Sequence, residues 1–147
     1  MPASIKSKKK ELITFSLKAV ELLDFSMNHP QKPLIDNKLF HFDIKLEHKL
    51  NNENKLLISV IYIDLFNEKR DLKLGTVVTS CVFEIANFSD FVDTANNKIN
   101  FPEDFLVTIN AITISTARGV MFSQFRGTYL HNALLPILDP KSFMIQK

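Results

Sequence analysis

Metal binding or acid–base catalysis in this sequence of 147 residues would have to draw on four histidines, one cysteine and scattered carboxylates. His29, His41, His48 and His131 are spread over loops, one strand and the tail. His41 and His48 are separated by seven positions, so in one regular strand they point to opposite faces and cannot share a metal. The single Cys81 excludes an internal disulfide and fits a reducing compartment. Its neighbours Val82 and Phe83 make it a buried, inert thiol. Ser80 has no nucleophile-elbow motif around it. With three glycines in the chain there is no phosphate-cradling loop and no dinucleotide fingerprint. Glu103-Asp104 is explained by its place at the start of a helix. The expectation is a protein that is not an enzyme and uses no metal or cofactor.

What the chain holds in surplus is apolar bulk, with 13 Phe, no Trp and 46% hydrophobic residues. Its length predicts one domain over residues 1–147, burying about 68–70% of its unfolded surface. A net charge of +2 supplies no field that would name nucleic acid as a partner. Lys6 to Lys10 give a basic start, but Glu11, Lys18 and Glu21 break the apolar residues that follow, so no secretory signal forms. No run reaches the ~18 apolar residues of a spanning helix. A soluble, cytoplasmic protein without stable membrane insertion is expected, with residues 1–11 a solvated, flexible basic terminus.

Residues 12–27 read as a first strand. Ile13, Phe15, Leu17 and Ala19 alternate with Thr14, Ser16 and Lys18, and the loss of phase at Leu22, Leu23 and Phe25 predicts a bulge near 20–22. Pro30 and Pro33 frame a connection, too long for a tight hairpin, that is expected to cross the sheet. In a second strand Phe40, Phe42, Ile44 and Leu46 face away from His41, Asp43, Lys45 and Glu47. A polar turn at 51–54, where Asn tolerates positive φ, leads to a third strand, 55–66. That strand is apolar on both faces, which predicts a central position and cover from outside the protomer. A fourth strand spans 72–85, and the polar segment 87–100 carries Phe88, Phe91 and Val92.

Pro102-Glu103-Asp104 opens one long helix, with proline in the first turn and carboxylates at the positive end of the dipole. Phe105, Ile109, Ile112, Thr116 and Val120 form one apolar row; Val107, Ile114, Met121 and Phe125 form another. Two rows imply two packing partners, the sheet and a neighbouring protomer. Gly119 permits close helix–helix approach, and Gly127 is placed to stop the helix. The β-branched residues at 107–109 and 112–114 lower local helix propensity, so the helix reading also draws on a resemblance.

From residue 112 to 143 an apolar run contains Arg118-Gly119 and stops at Arg126-Gly127-Thr128-Tyr129. A Leu/Pro tail then ends on an isolated Phe143. With four strand-like segments before it, this order resembles the SecB family of export chaperones over residues 12–143. The resemblance implies an α+β fold: a four-stranded antiparallel sheet with a crossover connection, packed against one long C-terminal helix, and an extended tail at 129–147. It further implies a homotetramer, a dimer of dimers, that holds unfolded polypeptide clients in hydrophobic grooves without ATP. Export members hand those clients to the motor ATPase SecA. By resemblance, Gly75, Val77 and Thr79 lie on the sheet face beneath an oligomer interface that includes Arg118, Met121 and Phe125. Acidic positions used for motor docking would fall near Leu22, Ser26 and Thr76, none of which is acidic, and the chain is slightly basic where export members are acidic. A chaperone dedicated to one client, such as an antitoxin encoded beside it, fits equally.

Phe88, Phe91, Phe101 and Phe105 surround the loop-to-helix junction, and Leu34 and Ile35 sit in the crossover. These six either plug the core or line a groove for apolar polypeptide, with Met27, Met121 and Met144 adding adaptable surface. The competing readings are a small apolar-ligand module with a pocket lined by Phe40, Phe42 and Phe105, and an assembly subunit.

Overall fold

The computed structural model describes residues 12–29 and 39–143. Among them, β1 (Phe15–Met27), β2 (His41–Asn51), β3 (Leu56–Phe66) and β4 (Lys73–Ile85) form one antiparallel sheet in the order β1-β4-β3-β2. β1 and β2 are successive in the chain yet occupy opposite edges, so the connection between them crosses the sheet as expected. Leu34 and Ile35, within that connection, lie outside the described residues. β3 is central, as its two apolar faces predicted, but only one face is covered by another described element.

The expected single bulge in β1 is two, at the register shifts Leu17/Ala19 and Leu22/Asp24. Each inserts one residue and restores the phase. As a result Leu17, Val20, Leu22, Phe25 and Met27 all register with β4 residues of one face: Phe83, Cys81, Thr79, Val77 and Gly75. The β2–β3 turn takes its left-handed residue from Lys55 (φ 58) and not from an asparagine, while Asn51 Oδ1 accepts from Asn54 N at 3.0 Å.

α1 (Glu103–Phe125) lies over β3 and β4. Pro102 takes the N-cap position, one residue earlier than expected, and Gly127 follows the helix end with φ +78. Among the most deeply buried helix residues, Ile109 and Met121 belong to the two predicted apolar rows, and Asn110, Thr113 and Ala117 fill the stripe between them. Periodicity read from apolar residues alone overlooked Asn110 and Thr113 because they are polar. By length and composition α1 is apolar enough to cross a bilayer, which the expectation of no such run did not allow for; here 44% of its apolar window is buried in the fold.

The core has two clusters. One, at the N-terminal end of α1, joins Phe83, Ile85, Phe88, Phe105 and Ile109. The other, at its C-terminal end, joins Ile61, Ile63, Leu65, Val77, Met121 and Phe125 with Leu130, Ala133 and Leu135 from the chain beyond the helix. Segment 87–100 forms a short 3-10 turn and a small hairpin that the sequence reading did not foresee, β5 (Val92–Asp93) with β6 (Lys98–Ile99). Asp93 closes it by accepting from Asn96 and Ala95, which holds its carboxyl below the ordinary value.

Gly75 sets the distance between helix and sheet at this end. A Cβ there would lie 2.9 Å from Ser26 O and 3.3 Å from Phe125 Cζ. The backbone oxygen cannot yield as a flexible side chain would. Gly75→Ala is expected to destabilise the fold by about 1–3 kcal/mol in urea titrations, whereas Gly119→Ala, with nothing within 4 Å of the new methyl, is expected to be neutral or stabilising.

Candidate polypeptide-binding site

The helix runs along the sheet and touches the edge strand β1 near both of its ends. Phe15 meets Phe105 with ring centroids 5.1 Å apart, and Phe25 meets Phe125 at 5.7 Å. Between these contacts β1 is open. Leu17, Val20 and Leu22, which share the helix-side face, are 48%, 43% and 41% exposed, and Leu23 at the second bulge is 51% exposed. On the helix, half-buried Ile112 and Thr116 turn toward this side, as shown by the packing of Ile112 on the N-terminal cluster and of Thr116 on the Cys81 thiol. Gly119 is next in the same helical row and is open. The result is an apolar strip beside the helix, on a strand whose outer edge pairs with no other described strand. Apolar side chains along such an edge suit an extended chain.

On the other flank of α1 the arrangement is reversed. Residues 133–139 run back along the helix, over the helix-side residues of β2. Arg118 Nε donates to Leu135 O at 3.0 Å and Nη2 to Pro136 O at 2.8 Å. Farther along, Asn110 Nδ2 donates to Pro140 O at 3.0 Å and Phe143 O at 3.3 Å. With its amide nitrogen so engaged, Asn110 presents Oδ1 as acceptor to His48 Nε2 at 2.7 Å, which makes His48 the Nε2–H tautomer. Burial pushes the His48 pKa below its ordinary value, partly offset by the Asn110 bond. His48 is thus a structural link, and His41 lies on the opposite face as spacing required.

The sequence-predicted residues fall as follows. Phe88, Phe91, Phe101 and Phe105 do come together: Phe101 lies 5.2 Å from Phe105 and 6.2 Å from Phe91. Phe88, Phe91 and Phe105 are buried, and Phe101 is half-buried. Gly75, Val77, Thr79, Met121 and Phe125 are likewise buried within the single chain, and Arg118 is half-buried on the tail. The pocket of the small-ligand reading does not form, because Phe40 and Phe42 pack on one core cluster and Phe105 on the other. The strip residues Leu17, Val20 and Leu22 were overlooked. The broken alternation in β1 was the available signal, since two bulges that keep apolar residues on one face of an edge strand mark a surface with a use. Among the described residues no group of His, Cys, Asp and Glu could hold a metal.

In structure the chain is similar to a SecB-like chaperone from Mycobacterium tuberculosis, solved in complex with a ChAD peptide from the HigA1 antitoxin. The TM-score is 0.58 at 11% identity, over 84% of this chain and 89% of that one. A protein of unknown function from Streptococcus agalactiae aligns over 78% of this chain and 89% of its own at 9% identity, with a TM-score of 0.36, too low to indicate a shared fold. No family model and no curated protein matches the sequence. The fold is SecB-like: the four-stranded antiparallel sheet, the long C-terminal helix and the α+β layout agree.

Two outcomes follow from the Asn110 junction. Asn110→Ala leaves a half-buried imidazole donor and two carbonyls without this partner, and is expected to cost about 1–3 kcal/mol in chemical denaturation. Because burial lowers the His48 pKa in the folded state, the unfolded chain binds the proton more readily. That contribution to stability is complete above the ordinary value of 6.5 and is lost as pH falls through the depressed folded-state value. Denaturation midpoints measured from pH 7.5 down to pH 5 should fall less steeply in His48→Gln than in the parent chain.

Proposed function

We propose that this protein is an ATP-independent holdase that binds unfolded or extended apolar polypeptide and works as a homotetramer, a dimer of dimers. The observation that carries the reading is the exposed apolar strip on β1, in a protomer whose other large apolar residues are mostly packed. Each contact along such a strip is weak. A client that wraps several protomers gains through effective concentration, so affinity arises without a deep pocket. Burial at about 25 cal/mol per Å² drives the association, and the ordering of the client opposes it.

The outer face of α1 supports the assembly part of the reading. Ala111, Ser115 and Gly119 are small, and Phe122 beyond them is 53% exposed. A second helix can approach such a face closely. The M. tuberculosis neighbour was solved with a peptide from an antitoxin, and a client of that kind, one dedicated partner carrying an extended apolar segment, is the form of the proposal we favour over handover to SecA. The absence of acidic residues at Leu22, Ser26 and Thr76 supports that preference. The proposed setting is the cytoplasm, with no catalytic step and no cofactor.

Calorimetric titration with reduced, carboxymethylated α-lactalbumin, which cannot refold, is the direct test. Binding at micromolar or tighter affinity with a negative heat-capacity change is expected, and Val20→Lys should weaken it by about tenfold. Phe122→Glu should reduce the mass in light scattering from a tetramer to a smaller species. Failure of the parent chain to bind the probe would remove the holdase reading.

A further inference from the structure

We propose that the seam between α1 and the sheet holds a binding site for one buried water molecule, at the hydroxyls of Ser59 and Thr79. Both side chains are fully buried, and neither hydroxyl has a hydrogen-bond partner among the described residues. Buried polar groups are rarely left in that condition, and ordered water is the usual partner where protein atoms supply none.

The strand register accounts for the site. On the helix side of the sheet His48, Ser59 and Cys81 stand in one row across β2, β3 and β4, and Thr79 stands in the next row, opposite Ile61. Leu57 and Phe83, in the row before, belong to one apolar core cluster, whereas Ile61 and Ile63 belong to the other. A polar band therefore crosses the sheet beneath α1, where the two clusters meet. The helix answers it with polar and small residues. Asn110 bonds His48, Thr113 and Thr116 meet the Cys81 thiol, and Ala117 is fully buried beside them.

Ser59 and Thr79 are diagonal neighbours on one face, because Ser59 registers with Cys81 and Ile61 with Thr79. Diagonal pairs stand roughly 7 Å apart, too far for two short hydroxyls to meet directly. One water spans up to about 5.6 Å between two oxygens, at about 2.8 Å for each bond, and so joins them. Backbone carbonyls are the other acceptors nearby, but β3 and β4 are the two inner strands and spend theirs in ladders on both sides. Thr113 completes the site from above. Its hydroxyl donates to Ile109 O, so the oxygen keeps lone pairs with which to accept. The water accepts from Ser59 and Thr79 and donates to Thr113 Oγ1, which gives it the roughly three bonds of a typical buried water. The small side chains of Ser59, Cys81 and Ala117 give it room while the helix stays close to the strands.

A crystal structure of the full-length parent chain, at a resolution that shows ordered water, tests the site. Electron density for one water within hydrogen-bond distance of Ser59 Oγ, Thr79 Oγ1 and Thr113 Oγ1 is expected. Hydroxyls turned onto backbone carbonyls, with no density between them, would overturn the proposal. Magnetic relaxation dispersion of the water oxygen gives a second reading in solution, because it counts long-lived internal waters. The double variant Ser59→Ala with Thr79→Val, which keeps the side chains close in size and removes both donors, should hold one such water fewer than the parent. An equal count in a folded double variant would also overturn it. Should that variant fail to fold, the density in the parent chain decides alone.

Discussion

One helix cannot cover four strands, and the rest of this structure follows from that mismatch. An α-helix with its side chains is about 10–12 Å wide. Four strands at about 4.8 Å spacing present roughly 19 Å. α1 is centred on β3 and β4, so apolar residues remain on both flanks. On the β2 side the chain returns after Gly127 and lays its tail over Phe42, Ile44 and Leu46. On the β1 side Phe15 and Phe25 reach the helix near its two ends, and Leu17, Val20 and Leu22 in the middle of the strand are exposed. The two flanks are alternative answers to one geometric problem: one is filled by the protein's own chain, and on the other Leu17, Val20 and Leu22 stay exposed.

The seam between helix and sheet is built from small and polar residues. Cys81 on the sheet meets Thr113 and Thr116 on the helix, Ser59, Thr79 and Ala117 are fully buried, and Gly75 lies against Phe125. Small side chains let the helix sit close to the strands. Thr113 Oγ1 donates to Ile109 O at 2.8 Å, so its hydroxyl is satisfied within the helix. Ser59 Oγ and Thr79 Oγ1 have no hydrogen-bond partner among the described residues, a cost of about 1–3 kcal/mol for each hydroxyl so left. Bulkier apolar residues at these positions would remove that cost and also push α1 away from the sheet, disturbing the end contacts that flank the strip. Burial likewise pushes the Cys81 thiol upward, in keeping with a packing role.

Much of the architecture could be read along the chain because it depends on local chemistry. Clean alternation located β2, charged turns bounded β3 and β4, and Pro102 with Glu103-Asp104 began the helix within one residue. The β5–β6 hairpin escaped because two-residue strands carry no periodicity. Asn110 and Thr113, in the deepest stripe of α1, escaped because they are polar, and a polar residue is buried only where partners satisfy it. For Asn110 those partners are His48, 62 positions away, and Pro140, 30 positions away.

By itself the sequence determined the elements, their order and the surplus of apolar side chains, since propensity, alternation and capping act over a few residues. It also brought Phe88, Phe91, Phe101 and Phe105 to one junction, because they flank a single turn. Only the tertiary structure decided which apolar residues are covered. Leu57 and Leu22 are equally apolar in the sequence, yet one lies beneath the helix and the other beside it. Burial is a property of what the whole chain places overhead, and a helix of fixed width on a wider sheet settles that choice only once both are assembled.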